Sequence, residues 1–316
     1  MPDPISLRWA HPAVILVATD LSDLDRLMPF TLQQASETGA RLVLIHVLAS
    51  SAALSADVTG MPYYDTVGVL ESADKSLLPW CEFARRKGVA CDALVREGNA
   101  AWQIAAAARQ FKADRIVLGT RSRSKLSKLL LGSVAEQVLR SANLPVITVG
   151  PEARLPVDYG DKQVVVHATR LGETSRASAA LACRIAASQN AILLLLHVLP
   201  PADEMEKQGI PTGMDSAAMG ELRALAAEIG AECGATVEPV VVHGNPSIEI
   251  LATASERDAR LIVLTATHRS GLENLTRDRT VYRVLAHARC PVLTLREEAA
   301  QSSEAFAAAA AEMQHH

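Results

Sequence analysis

The chain lacks an excess of positive charge, any C-x-x-C spacing and any long apolar run. Its 31 Lys and Arg stand against 35 Asp and Glu, a formal net charge of -4, which gives no ground for nucleic acid as the main partner. The five cysteines, Cys81, Cys91, Cys183, Cys233 and Cys290, are odd in number and irregularly spaced. They read as reduced structural thiols and exclude both a zinc-ribbon pattern and a disulfide framework. The longest apolar run, residues 191–198, is interrupted by His197 and falls far short of the roughly 20 residues that span a bilayer. The opening MPDPISLRWA has no apolar h-region, so the expectation is a cytoplasmic protein with no membrane partner. A G-x4-G-K-[S/T] phosphate loop, a G-x-S-x-G elbow and a pair of carboxylates placed to activate water are also missing, which removes the commonest routes to catalysis. His243 and His287 have no partner spacing for a metal, and no metal site is expected.

What is present is half hydrophobic, 49% over 316 residues, and long enough for two domains. The halves repeat. Residues 95–120, VREGNAAWQIAAAARQFKADRIVLGT, lie without a gap over 241–266, VVHGNPSIEILATASERDARLIVLTA, and the same register carries NLPVIT at 143–148 onto RCPVLT at 289–294. Upstream, VILVATD at 14–20 answers VVVHATR at 164–170, and LVLIHVL at 42–48 answers LLLLHVL at 193–199. The chain is a duplication with its junction near residues 151–160.

Within each half, short Val/Ile/Leu-rich runs alternate with longer Ala-rich stretches, the pattern of βαβ units with a parallel sheet buried on both faces. Strands are expected at 13–19, 41–48, 90–96, 114–119 and 145–149, and helices at about 24–38, 71–87, 100–111 and 133–141. Residues 49–69 read as a long loop, a lid or partner surface. The Ala-rich end, 297–316, reads as a frayed helix or disordered tail. The domain reading is therefore 1–150, 151–296 and that tail.

GTRSRSKLSKLLLGS, residues 119–133, has the look of a phosphate cradle. Gly119 ends a strand and lets backbone approach a ligand, while Gly132 and Ser133 open a helix whose first amides and a hydroxyl face an anion. Between them Arg121, Arg123, Lys125 and Lys128 read either as phosphate partners or as solvated charges, with Arg123 the best candidate for contact.

VILVATDLS, LIHV, EGN and above all GTRSRSKLSKLLLGSVAEQVLRSANLPVITV resemble the universal stress protein family in a tandem two-domain form. The resemblance implies two doubly wound α/β domains, each a five-stranded parallel sheet of order 3-2-1-4-5, packed as a pseudo-two-fold dimer within one chain. Strands one and four then flank the point where strand order reverses, so Asp20 and Gly119 face one crevice. ATP-binding members carry G-x2-G-x9-G-S/T, which Gly119 and Gly132-Ser133 match while Ser122 replaces the second glycine. By the resemblance Asp20 and the backbone of Val47 hold adenine, Gly119 the ribose, and Ser122, Arg123, Gly132, Ser133 and Val134 the phosphates. A side chain at Ser122 narrows that loop, yet its hydroxyl can donate to a phosphate.

The second half has Arg170, Thr265, His268, Asp278 and Arg279 at the matching places, and a carboxylate at a helix start caps the amides and repels a triphosphate. No ATP is expected there; Arg170 is expected to pair with Asp278 or another carboxylate. His46 and His197, at equivalent strand positions, read as structural. The expectation is a stress-response regulatory protein that binds ATP or a related adenine nucleotide, with or without Mg, in its first domain only, and hydrolyses it slowly at most. The alternative is a scaffold with a decayed site. Further homodimerisation stays open.

Overall fold

The computed structural model describes residues 4–49, 66–120, 131–154, 163–172, 175–201, 214–266 and 279–296. Ser122 and Arg123, with Arg121, Lys125 and Lys128, lie outside the described residues, as do His268, Asp278, most of the 49–69 loop and the tail from 297. Among the described residues the chain forms two units, and no helix is long and apolar enough to cross a membrane.

A short helix, α1 (Pro4–Ala10), leads into β1 (Val14–Thr19), α2 (Leu24–Thr38), β2 (Arg41–Leu48), α3 (Thr66–Arg86), β3 (Cys91–Glu97), α4 (Ala100–Gln110), β4 (Arg115–Gly119), α5 (Ser133–Ser141) and β5 (Val146–Val149). The first unit, residues 12–142 with 146–151, takes its strands in the order β3-β2-β1-β4-β5, every neighbour parallel. All six residues of β1 are buried, because a central parallel strand is covered by helices on both faces. Along α2, Leu24, Leu27, Met28, Thr31 and Ala35 form the buried stripe of an amphipathic helix. Strand and helix bounds fall within a residue or so of the sequence expectation except in α3. That helix starts at Thr66 rather than 71; half-buried Val69 and Leu70 extend a stripe of buried Ala73, Leu77, Cys81 and Ala84 by a turn, although Gly68 and the β-branched neighbours disfavour helix locally.

The second unit repeats the plan with β6 (Val164–Ala168), α6 (Ser175–Ser188), β7 (Ile192–Leu199), α7 (Met214–Cys233), β8 (Val237–His243), α8 (Pro246–Glu256), β9 (Leu261–Ala266), α9 (Arg279–His287) and β10 (Val292–Arg296). Its strand order is β8-β7-β6-β9-β10, again parallel. α1 belongs to this unit although the sequence reading gave residues 1–150 to the first domain: it packs on α6 and buries Trp9 and Ala10.

Candidate functional site

β1 stands between β2 and β4, and the connections leave it in opposite directions, which opens a crevice at the carboxyl ends of these strands. A cavity of about 170 Å³ fills it. Thr19, Asp20 and Asp23 line it from the end of β1, His46 and Val47 from β2, Gly119 and Thr120 from β4, Gly132, Ser133 and Val134 from the start of α5, and Ala100 and Ile104 from α4. Six expected site residues, Asp20, Val47, Gly119, Gly132, Ser133 and Val134, are thus brought together.

Each wall has a local cause. The turn from β3 into α4 needs Gly98 at φ 121, a conformation open to glycine and little else. Asn99 then caps α4 by accepting from the Trp102 amide at 2.9 Å. His46 Nδ1–H donates to the Thr19 carbonyl at 2.9 Å and ties the ends of β1 and β2 together; His197 does the same to Thr169 at 3.0 Å. Asp20 is exposed, and its Oδ1 accepts from the Ser22 amide at 2.8 Å and the Ser22 hydroxyl at 2.6 Å.

Asp23 was missed by the sequence reading, since an aspartate just before a helix looks like an ordinary cap. Its side chain caps nothing; α2 begins on its backbone carbonyl, which accepts from Arg26 and Leu27. The carboxyl is instead buried in the cavity floor, one oxygen accepting from Thr19 Oγ1 at 2.6 Å. Burial raises its pKa from 3.8 to about 6, the Asp20 charge adds to the rise, and the Thr19 hydroxyl and Arg26 oppose it. Asp23 also explains Gly119: a Cβ there would sit 2.3 Å from Asp23 Oδ2, so any side chain collides with the carboxylate. Beside it, buried Thr120 Oγ1 has no hydrogen-bond partner among the described residues.

The helix start is partly committed. The Gly132 amide donates to the Thr120 carbonyl at 2.8 Å, so this residue offers its lack of side chain rather than the unpaired amide expected of it. Ser133, Val134 and Ala135 have no preceding turn to bond to, and among the described residues none of their amides is seen to donate. These three amides with the helix dipole place positive potential at the cavity rim.

In the second domain Asn245 caps α8 after Gly244 at φ 147, as Asn99 and Gly98 do for α4. Chemistry at the crevice differs: Arg170 follows β6, and Thr265 takes the place of Gly119.

The profile of the universal stress protein family matches the chain twice, over residues 13–150 and 162–296. A universal stress protein of Methanocaldococcus jannaschii is 31% identical over 136 residues, 43% of this chain and 80% of its own length. One of Thermus aquaticus is 34% identical over 142 residues, 43% of this chain and 96% of its own. A crystal structure of a universal stress protein from Archaeoglobus fulgidus superposes with a TM-score of 0.68 at 21% identity, covering 90% of this chain and 96% of that one.

Proposed function

The chain belongs to the universal stress protein family, two copies of whose fold it carries in tandem, and from that premise we propose that it is a stress-response regulatory protein whose first domain alone binds ATP or a related adenine nucleotide. The observation that carries this reading is the cavity at the ends of β1, β2 and β4, where polar groups converge on a helix start. Asp20 and the Val47 backbone take the base. Gly119 passes the ribose close to the strand end, with the Asp23 carboxylate and Thr120 hydroxyl as acceptor and donor for sugar hydroxyls. The phosphates lie against the amides of Ser133 and Val134 and the bare Gly132, with Ser122, Arg123 and any Mg completing the anion site. The set fits a nucleotide because a cavity of about 170 Å³ opens onto the bare Gly132 and the helix start, and Thr120 leaves a buried hydroxyl to pair. Binding rather than turnover is its output, and its setting is the cytoplasm.

One observation favours a second reading, a scaffold that keeps the shape of the site: the Gly132 amide is already spent on Thr120. Mass spectrometry of ligand released from the purified, denatured protein separates the two. An adenine nucleotide at about one per chain supports binding; none, together with no heat on titration of ATP or ADP, leaves the scaffold.

The domains themselves are proposed to pair as a pseudo-two-fold dimer. Each sheet ends on a strand that opens just after a proline, Pro145 before β5 and Pro291 before β10, and terminal strands of this kind invite pairing with a like edge.

A further inference from the structure

Two of the five cysteines meet in a contact that the sequence spacing does not announce. In the second domain the Cys183 and Cys233 thiols donate to backbone carbonyls, Ile229 at 3.5 Å and Ala180 at 3.7 Å. In the first, the Cys91 thiol on β3 donates to Cys81 Sγ on α3 at 3.0 Å. We propose that Cys81 and Cys91 form a reversible redox couple that a hydroperoxide closes to a disulfide.

The geometry is close to that of the product. A disulfide holds its sulfurs about 2.05 Å apart, so closure asks for an approach of about 1 Å between two side chains already in contact. The two residues also differ in readiness. The hydrogen bond from Cys91 stabilises a thiolate on Cys81, and the Arg85 charge one turn along α3 adds to that, so the Cys81 thiol is pulled below its ordinary range. The same hydrogen bond and burial push Cys91 up and keep it protonated. Cys81 is therefore the nucleophile and Cys91 the resolving thiol.

The steps balance. Cys81 thiolate attacks the O–O bond of the hydroperoxide; an S–O bond forms, the O–O bond breaks, and the leaving oxygen takes a proton to become an alcohol, or water from hydrogen peroxide. Cys91 then loses its proton and attacks the Cys81 sulfur; the S–S bond forms, the S–O bond breaks and water leaves. Two thiols are oxidised and one peroxide is reduced. Access comes from the sheet edge. Both thiols are buried, but β3 is the outermost strand of its domain and the neighbouring Arg85 and Asp92 are about half exposed. Local opening of α3 from β3 therefore admits a small oxidant, and oxidation is slower than at an exposed thiol.

The test uses the intact chain treated with hydrogen peroxide, alkylated and digested with trypsin. The expected product is a dithiothreitol-reversible link between the peptides of residues 76–85 and 88–96, with a mass loss of about 2 Da for two hydrogens. Recovery of both cysteines alkylated, over-oxidation of either one alone, or a disulfide joining other cysteines instead overturns the proposal. Cys91→Ser should leave a sulfenic acid on Cys81 that dimedone traps. Cys81→Ser should leave Cys91 unlabelled, and dimedone on Cys91 there would overturn the assigned order of attack.

Discussion

At the end of its central strand the first domain carries Asp20, Leu21 and Ser22 ahead of the buried Asp23, where the second carries Arg170, Leu171 and Gly172 ahead of Glu173. Around these positions the two domains are alike. His46 and His197 bind the carbonyls of Thr19 and Thr169, Gly98 and Gly244 take the same turn, and Asn99 and Asn245 cap the helices that follow. The devices that bring strand ends together occur in both copies, while the groups that would meet a ligand differ. One fold thus carries two strand ends of unlike charge, Asp20 in one copy and Arg170 in the other, because strand-end scaffolding uses backbone acceptors and turns and leaves the exposed side chains free to differ.

The largest effect expected from this comparison comes from separating the domains. A fragment of residues 12–151 should homodimerise or aggregate through β5, seen as a doubled mass by light scattering. A stable monomer at high concentration breaks the pairing proposed above. The complementary fragment should melt well below its counterpart fused to residues 1–11, since without α1 the face of α6 that it packs on is bare and the burial of Trp9 is lost.

Next comes the exchange of one residue across the repeat. Gly119→Thr gives the first domain the second domain's residue and drives a Cβ into Asp23, 2.3 Å away. Nucleotide affinity should fall about 100-fold or more, close to 3 kcal/mol, by calorimetry. The smaller Gly119→Ala should destabilise the fold by about 1–3 kcal/mol, and adding Asp23→Ala should recover most of that loss. Equal affinity in Gly119→Thr and the parent removes Gly119 from the site.

The sequence carried the alternation of elements and therefore the fold. Val-rich runs and Ala-rich stretches follow from burial periods that neighbouring residues alone determine. What it could not carry depends on residues far apart in the chain. Asp23 is buried because Gly119 comes up beside it, the Gly132 amide is used because Thr120 returns over it, and Cys81 meets Cys91 because α3 folds back on β3. Helix α1 was missed for the same reason: PISLRWA has little helical period of its own, and it packs against an element more than a hundred residues on.

Acid should act on the two domains with opposite sign. Asp23, raised from 3.8 to about 6, binds its proton more tightly folded than unfolded. Its contribution is full below about pH 4 and is lost as pH rises through 6. His167 sits in β6 where the first domain has Val17. Its Nδ1–H donates to the Val263 carbonyl at 3.0 Å, and its buried Nε2 has no partner among the described residues. Burial lowers its pKa from 6.5 to about 4, so its contribution is full above 6.5 and is lost as pH falls through 4. At 1.36 kcal/mol per unit each effect is at most about 3 kcal/mol. Asp23→Asn should stabilise the first domain at pH 7 and do little at pH 4. His167→Val should protect the second domain at pH 4–5, and domain-resolved hydrogen exchange reads both. Loss of protection in both domains between pH 7 and 5 in the parent, unchanged by either substitution, breaks the contrast.

The smallest effect concerns where each copy of the first turn stores its strain. Leu21 has φ 71, a left-handed conformation that costs a branched residue roughly 1–2 kcal/mol, and its amide is held by Thr19 Oγ1 at 2.9 Å. In the second domain the positive φ falls one residue later, on Gly172 at φ 149, a region essentially reserved for glycine. Asn tolerates the left-handed region, so Leu21→Asn relieves most of the strain while giving up the contacts of a half-buried Leu side chain. The two terms nearly cancel, and the net gain should be about 0.5 kcal/mol, a rise of a degree or two in Tm. Gly172→Asn finds no such tolerance and should destabilise by about 1–3 kcal/mol. A fall in Tm on Leu21→Asn as large as that on Gly172→Asn would mean that packing of Leu21, and not its backbone, governs this turn, and that the strain lies on the same residue type in neither copy.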